Sequence, residues 1–132
     1  MEIGEAYEVS RTVTGDMTAA AAGSGGLQVF GTPYLLALLE NAAYELLQRG
    51  LPEGQTSVGV SANIEHSAPT PLGMTVTARA ELTGLSANGR LADFAVSAWD
   101  EAGPICRGTH RRAVVDAVRF TAKSETRREA KA

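Results

Sequence analysis

The stretch VFGTPYLLALLENAAYELL, residues 29–47, is apolar on almost every side yet carries a glutamate in its middle. Leu36, Glu40, Ala43 and Leu47 are spaced i, i+4, i+7 and i+11, so a helix places them on one stripe. Thr32 is a good N-cap and Pro33 fits the first helical position. A helix this apolar must be covered on several sides.

The segments that would cover this helix alternate with a period of two, as strands do. They span residues 5–13, 57–66, 74–82, 91–99 and 105–118. In the second of them, Val58, Val60, Ala62, Ile64 and His66 share one face if the alternation is strict. One buried helix and a run of antiparallel strands predict an α+β fold, with a curved sheet around a central helix.

The length of the chain fits one domain, which we expect over residues 1–122, followed by a charged, frayed tail over residues 123–132. The small residues of segment 14–26 predict a loop, with a short helix in the alanine run. A single curled sheet leaves edges to cover, so we expect a homodimer, with a tetramer as the larger alternative.

Composition excludes several functional classes. The net charge of −3 argues against a nucleic-acid partner, and no apolar run approaches the ~20 residues that span a bilayer. The single cysteine, Cys106, rules out an intrachain disulfide framework, and no ligand spacing predicts a metal or another cofactor. The acidic start MEIGEAYEVS lacks a signal-peptide pattern, so we expect a cytoplasmic protein without membrane contact.

Three residues are candidates for chemistry, and each also has a purely structural explanation. Glu40 is either a carboxylate that orients water or accepts a proton, or a surface residue paired with Arg49 or another cation. His66 ends an apolar strand face, as a proton carrier or as a core residue. The hydroxyl of Thr32 caps the helix, and a capping hydroxyl also lies at the positive end of the helix dipole.

The remaining candidates favour structural explanations. His110 is expected to be a surface or interface residue of the last strand, and Cys106 an inert thiol because no activating group is evident. Arg111 and Arg112 could grip phosphate, but solvated charge is the default for arginine.

Three segments together resemble the hotdog-fold thioesterases, most closely the fluoroacetyl-coenzyme A (CoA) thioesterase type. They are VFGTPYLLALLENAAYELL, SVGVSANIEHSAPTPLGMTVTARAEL and RGTHRRAVV, within a similarity that covers about residues 3–122. The resemblance implies paired protomers with active sites at the dimer interface, and hydrolysis of an acyl-CoA thioester. By motif position it assigns catalysis to Thr32, Glu40 and His66. It also assigns substrate contacts to Gly59, whose amide meets the thioester carbonyl, and Arg112, near the acyl pocket.

One departure bears on the substrate. The fluoroacetyl-specific enzyme carries aromatic lid residues before the helix, whereas the segment here, AAAAGSGGLQ over residues 19–28, has none. We therefore expect a small or medium acyl-CoA as the substrate, without fluoroacetyl specificity, and an acyl carrier protein thioester remains open. The alternatives are a non-catalytic module that binds acyl-CoA, a structural dimer, and a hydratase, which is disfavoured because the usual Asp and His pair is missing.

Overall fold

A computed structural model describes residues 1–130 of the chain. Its strands are β1 (Ala6–Thr12), β2 (Gln55–His66), β3 (Thr75–Leu85), β4 (Leu91–Asp100) and β5 (Gly103–Asp116). Its α-helices are α1 (Ala19–Ala22), α2 (Thr32–Gln48) and α3 (Ala117–Ala130), with a 3-10 turn at Gly15–Met17. In residues 1–130, no helix is long and apolar enough to cross a membrane.

The strands form one antiparallel sheet in the order β1-β3-β4-β5-β2. Helix α2 packs against β1, β2, β3 and β4, so the sheet curves around it. The expected α+β layout is therefore confirmed. Alternate residues of β3 form one side of the hydrophobic core. They are Val76, Ala78, Ala80 and Leu82, and all four are fully buried.

The start of α2 differs from the prediction. Gly31 is the N-cap and Thr32 is the first helical residue, with no side-chain cap. A Cβ on Gly31 would lie 2.9 Å from the backbone nitrogen of Ala19 and 3.0 Å from the Thr18 carbonyl, so the close approach requires glycine. The prediction of Thr32 as N-cap is wrong because its hydroxyl bonds to another side chain.

The predicted strict alternation of β2 is also wrong. Its register against β5 shifts between Gly59 and Ser61, where a bulge inserts Val60 as an extra residue. The bulge moves Val60 out of the regular alternation, and its side chain is exposed. As a result, Gly59 lies opposite Arg112 and His66 lies opposite Cys106.

The C-terminal segment is more regular than expected. Strand β5 ends at Asp116, before the expected Val118, and α3 continues to Ala130 where we expected a frayed tail. None of the residues of α3 is buried. The last two residues of the expected tail, 131 and 132, lie outside the described residues. The short helix expected in the alanine run is confirmed as α1.

Candidate active site

The hydroxyl of Thr32 and the imidazole of His66 form the first part of the candidate site. Thr32 Oγ1 lies 2.8 Å from His66 Nδ1, which joins the start of α2 to the end of β2. The ring of Phe30 packs edge-on against His66, with centroids 6.5 Å apart. Of the predicted catalytic residues, the structure therefore brings two into direct contact.

A cavity of about 300 Å³ opens beside this pair. Its walls include Ala19 and Ser24 from the segment before α2, and Ala68 and Pro69 from the turn after β2. Within residues 1–130, His66 Nε2 is buried and has no hydrogen-bond partner. A buried polar atom left unpaired is costly, so His66 presents a group that a substrate or water would satisfy.

Glu40 forms a second part of the site, two helical turns away. It follows Thr32 by eight residues, or about 12 Å along the helix axis. A smaller cavity of about 180 Å³ is lined by Leu36, Glu40, His110 and the bulged segment 59–62. Within one chain, Glu40 and the Thr32–His66 pair therefore line two different cavities.

Arg112 is the cation beside Glu40. Its Nη1 lies 3.5 Å from Glu40 Oε2, and its Nε donates to Ser57 Oγ at 2.8 Å. Its Nη2 donates to the Ser57 carbonyl at 3.1 Å. The expectation of a solvated Arg112 is wrong, because the residue is buried. Glu40 was expected to pair with Arg49 or another cation; its partner is Arg112, and Arg49 instead lies over the ring of Tyr7.

His110 is a functional candidate that the sequence analysis placed at the surface. It is buried, and its Nδ1 lies 2.8 Å from the carbonyl of Ser61. Since a carbonyl only accepts, Nδ1 carries the proton, and Nε2 can accept from Arg112 Nη1 at 3.1 Å. His110 thus supports the guanidinium that faces Glu40. The alternation of Cys106, His110, Arg112 and Val114, all buried, is the signal that would have revealed it.

Gly59 completes the cluster around Glu40. A Cβ on Gly59 would overlap Glu40 Oε2, and would lie 3.6 Å from both Glu40 Cδ and His110 Cε1. The residue therefore leaves room for the carboxylate. The bulge beside it interrupts the β2–β5 ladder at a point where the edge of β2 is exposed.

Substitution of Gly59 by alanine should therefore displace Glu40. We expect Gly59→Ala to lower any turnover by about 10²-fold, because small misplacements of a reacting group are costly. Steady-state kinetics of the purified variant measures this effect. Gly54→Ala would not serve as a control because Gly54 has a positive φ, whereas Gly26→Ala is suitable since a Cβ there meets nothing within 4 Å. Equal rates for Gly59→Ala and Gly26→Ala would contradict the steric argument.

Burial lowers the pKa of both histidines. Desolvation is the main cause for His66 and is partly offset by the Ala68 backbone. For His110, desolvation is again the main cause of the lowered pKa. The hydrogen bond to the Ser61 carbonyl raises the pKa, the charge of Arg112 lowers it further, and the charge of Glu40 raises it. Both rings are therefore neutral at pH 7, which lets His66 accept a proton.

The same shifts predict a pH dependence of stability. A histidine whose pKa is lower in the folded than in the unfolded protein stabilises the fold in its neutral form. This stabilisation is complete above the unfolded pKa of about 6.5, and it is lost as the pH falls through the folded pKa. The chain has two histidines, so we assign the change just below pH 6.5 to them. Thermal unfolding between pH 8 and pH 5 should show the loss, and it should flatten in the double variant His66→Gln, His110→Gln. An unchanged slope in that variant would contradict the assignment.

The last two side-chain expectations concern Cys106 and Arg111. Cys106 is buried, and desolvation raises the pKa of its thiol, as expected for an inert cysteine. Arg111 is exposed and forms a bidentate salt bridge with Asp93. Its Nε donates to Oδ1 at 2.7 Å and its Nη2 donates to Oδ2 at 3.1 Å. Cys106 lies opposite His66 in the pairing of β2 with β5, whereas Arg111 lines neither the cavity beside His66 nor the cavity beside Glu40.

Comparison with known proteins places this architecture in a class. Residues 13–118 of this chain match the model of the fluoroacetyl-CoA-specific thioesterase (FlK) family. The fluoroacetyl-CoA thioesterase of Streptantibioticus cattleyicolor is 40% identical over 96 residues, which are 73% of this chain and 68% of that protein.

Solved structures agree with this comparison. A crystal structure of a FlK variant matches with a TM-score of 0.90 and 32% identity, over 96% of this chain and 97% of that one. Another, a FlK variant in complex with fluoroacetate and CoA, matches with a TM-score of 0.85 and 32% identity, over 91% and 99% of the two chains. A helix wrapped by this five-stranded sheet defines a hotdog-fold protein. Within that class, the chain belongs to the fluoroacetyl-CoA-specific thioesterase family.

Proposed function

We propose that the chain is a cytoplasmic hydrolase that cleaves a small or medium acyl-CoA thioester to the free acid and CoA. Membership of a thioesterase family supports the reaction class. The observation that carries the assignment to this chain is the Thr32–His66 pair with its unpartnered Nε2, beside a cavity of about 300 Å³. A non-catalytic acyl-CoA module would not need a neutral, half-buried base at that place.

Each group has a role in this reaction. Glu40 supplies the carboxylate, either as the nucleophile or as the base for attacking water, and Arg112 fixes its position. His66, oriented by Thr32, carries the proton to the leaving thiolate. The amide of Gly59 donates to the thioester carbonyl as its oxygen becomes negative, a type of contact that strengthens in the transition state.

The separation of Glu40 from His66 within one chain favours a homodimer. Strand β2 is an edge strand, and its exposed segment Gly59–Asn63 carries no charge. The opposite edge, β1, is protected by Glu8 and Arg11. Unprotected edges of this kind pair with another strand. We therefore propose that β2 pairs with β2 of a second copy.

Such pairing would join the two parts of the site. The exposed run from Gly59 to Asn63 is centred on Ser61. Antiparallel pairing centred there places Gly59 of one chain opposite Asn63 of the other, three residues before His66. The Thr32–His66 pair of one protomer would then face the Glu40 cluster of its partner. A symmetric dimer would contain two such composite sites.

The acyl group follows from the lining of the cavity. The segment before α2 contributes Ala19 and Ser24 to it, and the 19–28 segment holds no aromatic residue. These small lining residues leave space for an acyl chain longer than acetyl, and Phe30, which also lines the cavity, packs its ring against His66. We therefore propose substrates with a small or medium chain, without preference for fluoroacetyl-CoA over acetyl-CoA.

A panel of acyl-CoA esters tests this function directly. Purified protein is incubated with acetyl-, fluoroacetyl-, butyryl-, hexanoyl- and decanoyl-CoA, and thiol release is recorded. We expect turnover of at least one short or medium ester, with similar rates for acetyl- and fluoroacetyl-CoA. Binding of the esters without any release of thiol would instead support the non-catalytic module.

A further inference from the structure

The C-terminal helix forms a basic groove that the proposed reaction does not use. The groove has a volume of about 400 Å³ and lies between α3, the end of β5, the start of β2 and the β3–β4 hairpin. Arg90, Arg119 and Lys123 line it together with Phe120, a residue that is 41% exposed. We name this feature the α3 groove. Its volume is in the range of small-molecule sites.

The charges of the α3 groove are unusual for this acidic chain. In the part of the chain that the structure describes, Arg90, Arg119 and Lys123 form no ion pair with a carboxylate. The carboxylate of Asp116 also lines the groove, and its Oδ1 accepts the backbone N–H of Arg119. Three cations and one anion leave an excess of positive charge in a protein with a net charge of −3.

The arrangement on α3 gathers these groups on one side. Arg119 and Lys123 are spaced i and i+4, so they lie one turn apart on the same face, with Phe120 adjacent. The β3–β4 hairpin supplies Arg90, the third cation of the lining. Cations around an exposed aromatic ring form a site that suits a phosphorylated nucleotide, since the phosphates meet the charges and the base stacks on the ring.

We propose that the α3 groove binds the phosphorylated adenosine end of the CoA thioester. This inference rests on the proposed function for the identity of the ligand. Gln55 lines the groove and lies four residues before Gly59 on β2, about 13 Å along the strand. An extended pantetheine arm can span that separation, so one ligand would reach from the groove to the amide of Gly59. The groove then favours a CoA ester over a carrier-protein thioester.

A binding measurement with adenosine 3′,5′-bisphosphate tests the groove without requiring turnover. Isothermal titration calorimetry should show binding to the wild-type protein that weakens as salt is added. The double variant Arg119→Glu, Lys123→Glu should bind at least about tenfold more weakly, because attraction becomes repulsion at two contacts. Arg90→Glu provides an independent variant on the β3–β4 hairpin. The control Arg11→Glu changes an exposed charge on β1, at the opposite edge of the sheet, and should leave binding unchanged.

Kinetics then separates this proposal from the proposed function. For the double variant we expect a KM for acyl-CoA raised about tenfold at an unchanged kcat. The KM for the matching acyl-N-acetylcysteamine thioester, which lacks the nucleotide, should stay the same. If no ester is hydrolysed but the bisphosphate binds the groove, the proposed hydrolase function is wrong and the nucleotide-binding role of the groove is supported. Absence of bisphosphate binding, or an equal rise in the KM for the acyl-N-acetylcysteamine thioester, would overturn the groove assignment.

Discussion

Replacement of Glu40 by glutamine should lower kcat for acyl-CoA hydrolysis by about 10²- to 10⁴-fold, the usual contribution of a positioned acid or base. Glutamine keeps the shape of the side chain, and its carbonyl can still accept from Arg112 Nη1, which lies 3.5 Å from Glu40 Oε2. The fold should therefore survive while the attacking or proton-accepting carboxylate is lost. Steady-state thiol release measures the rate, and thermal unfolding checks the fold.

Glu45→Gln is the matched control for this experiment. It makes the same change on the same helix, outside the residues that line the Glu40 cavity. We expect its kcat to remain close to that of the wild type. If Glu40→Gln and Glu45→Gln behaved alike, the carboxylate of Glu40 would be a structural partner of Arg112 and would have no catalytic role.

Replacement of His66 by alanine should reduce kcat by a similar factor of about 10²- to 10⁴-fold. The variant loses the imidazole whose pKa is lowered by burial, and so loses the proton carrier for the leaving thiolate. The acid limb of the pH–rate profile should disappear with it, because protonation of His66 would account for that limb. Steady-state kinetics between pH 5 and pH 8 measures both the decrease in kcat and the loss of the acid limb.

Two further measurements separate catalysis by His66 from a packing role. Added imidazole should restore part of the activity of His66→Ala, since truncation enlarges a cavity that already opens beside Thr32. Thr32→Val keeps the imidazole but removes its partner at 2.8 Å, so we expect a smaller loss of about tenfold. If the activity of His66→Ala fell only in proportion to its fraction of folded protein, and imidazole restored none of it, the proton-carrier role would be contradicted.

The sequence predicted the fold well because its core pattern is local. The apolar stripe of α2 and the alternation in β3 and β4 are recorded in consecutive residues, and burial in the structure follows them. The bulge at Val60 is not local: the alternation of β2 continues through it, and the shift arises only from pairing with β5. That is why Val58, before the bulge, lies on the opposite face from Ala62, Ile64 and His66, after it.

The sequence suggested the candidate residues but not how they are arranged. Thr32 and His66 meet where the start of α2 contacts the end of β2, but nothing in their spacing predicts that contact, which depends on how β2 packs against α2. His110 was missed because a lone histidine in a strand is usually structural. Its period-two relation to Arg112, both on the buried face of β5, carries the information that places it beside Glu40.

The central claim is that Glu40 of one protomer acts with Thr32 and His66 of the other. Mixing the inactive variants His66→Ala and Glu40→Gln, after reversible dissociation, tests it most directly. Each mixed dimer would contain one site with both groups intact, so statistical mixing of equal amounts should restore about a quarter of wild-type activity. Size-exclusion chromatography with light scattering confirms that dimers reform. Reformed mixed dimers with no recovered activity would show that Glu40 and His66 do not share a site across the interface.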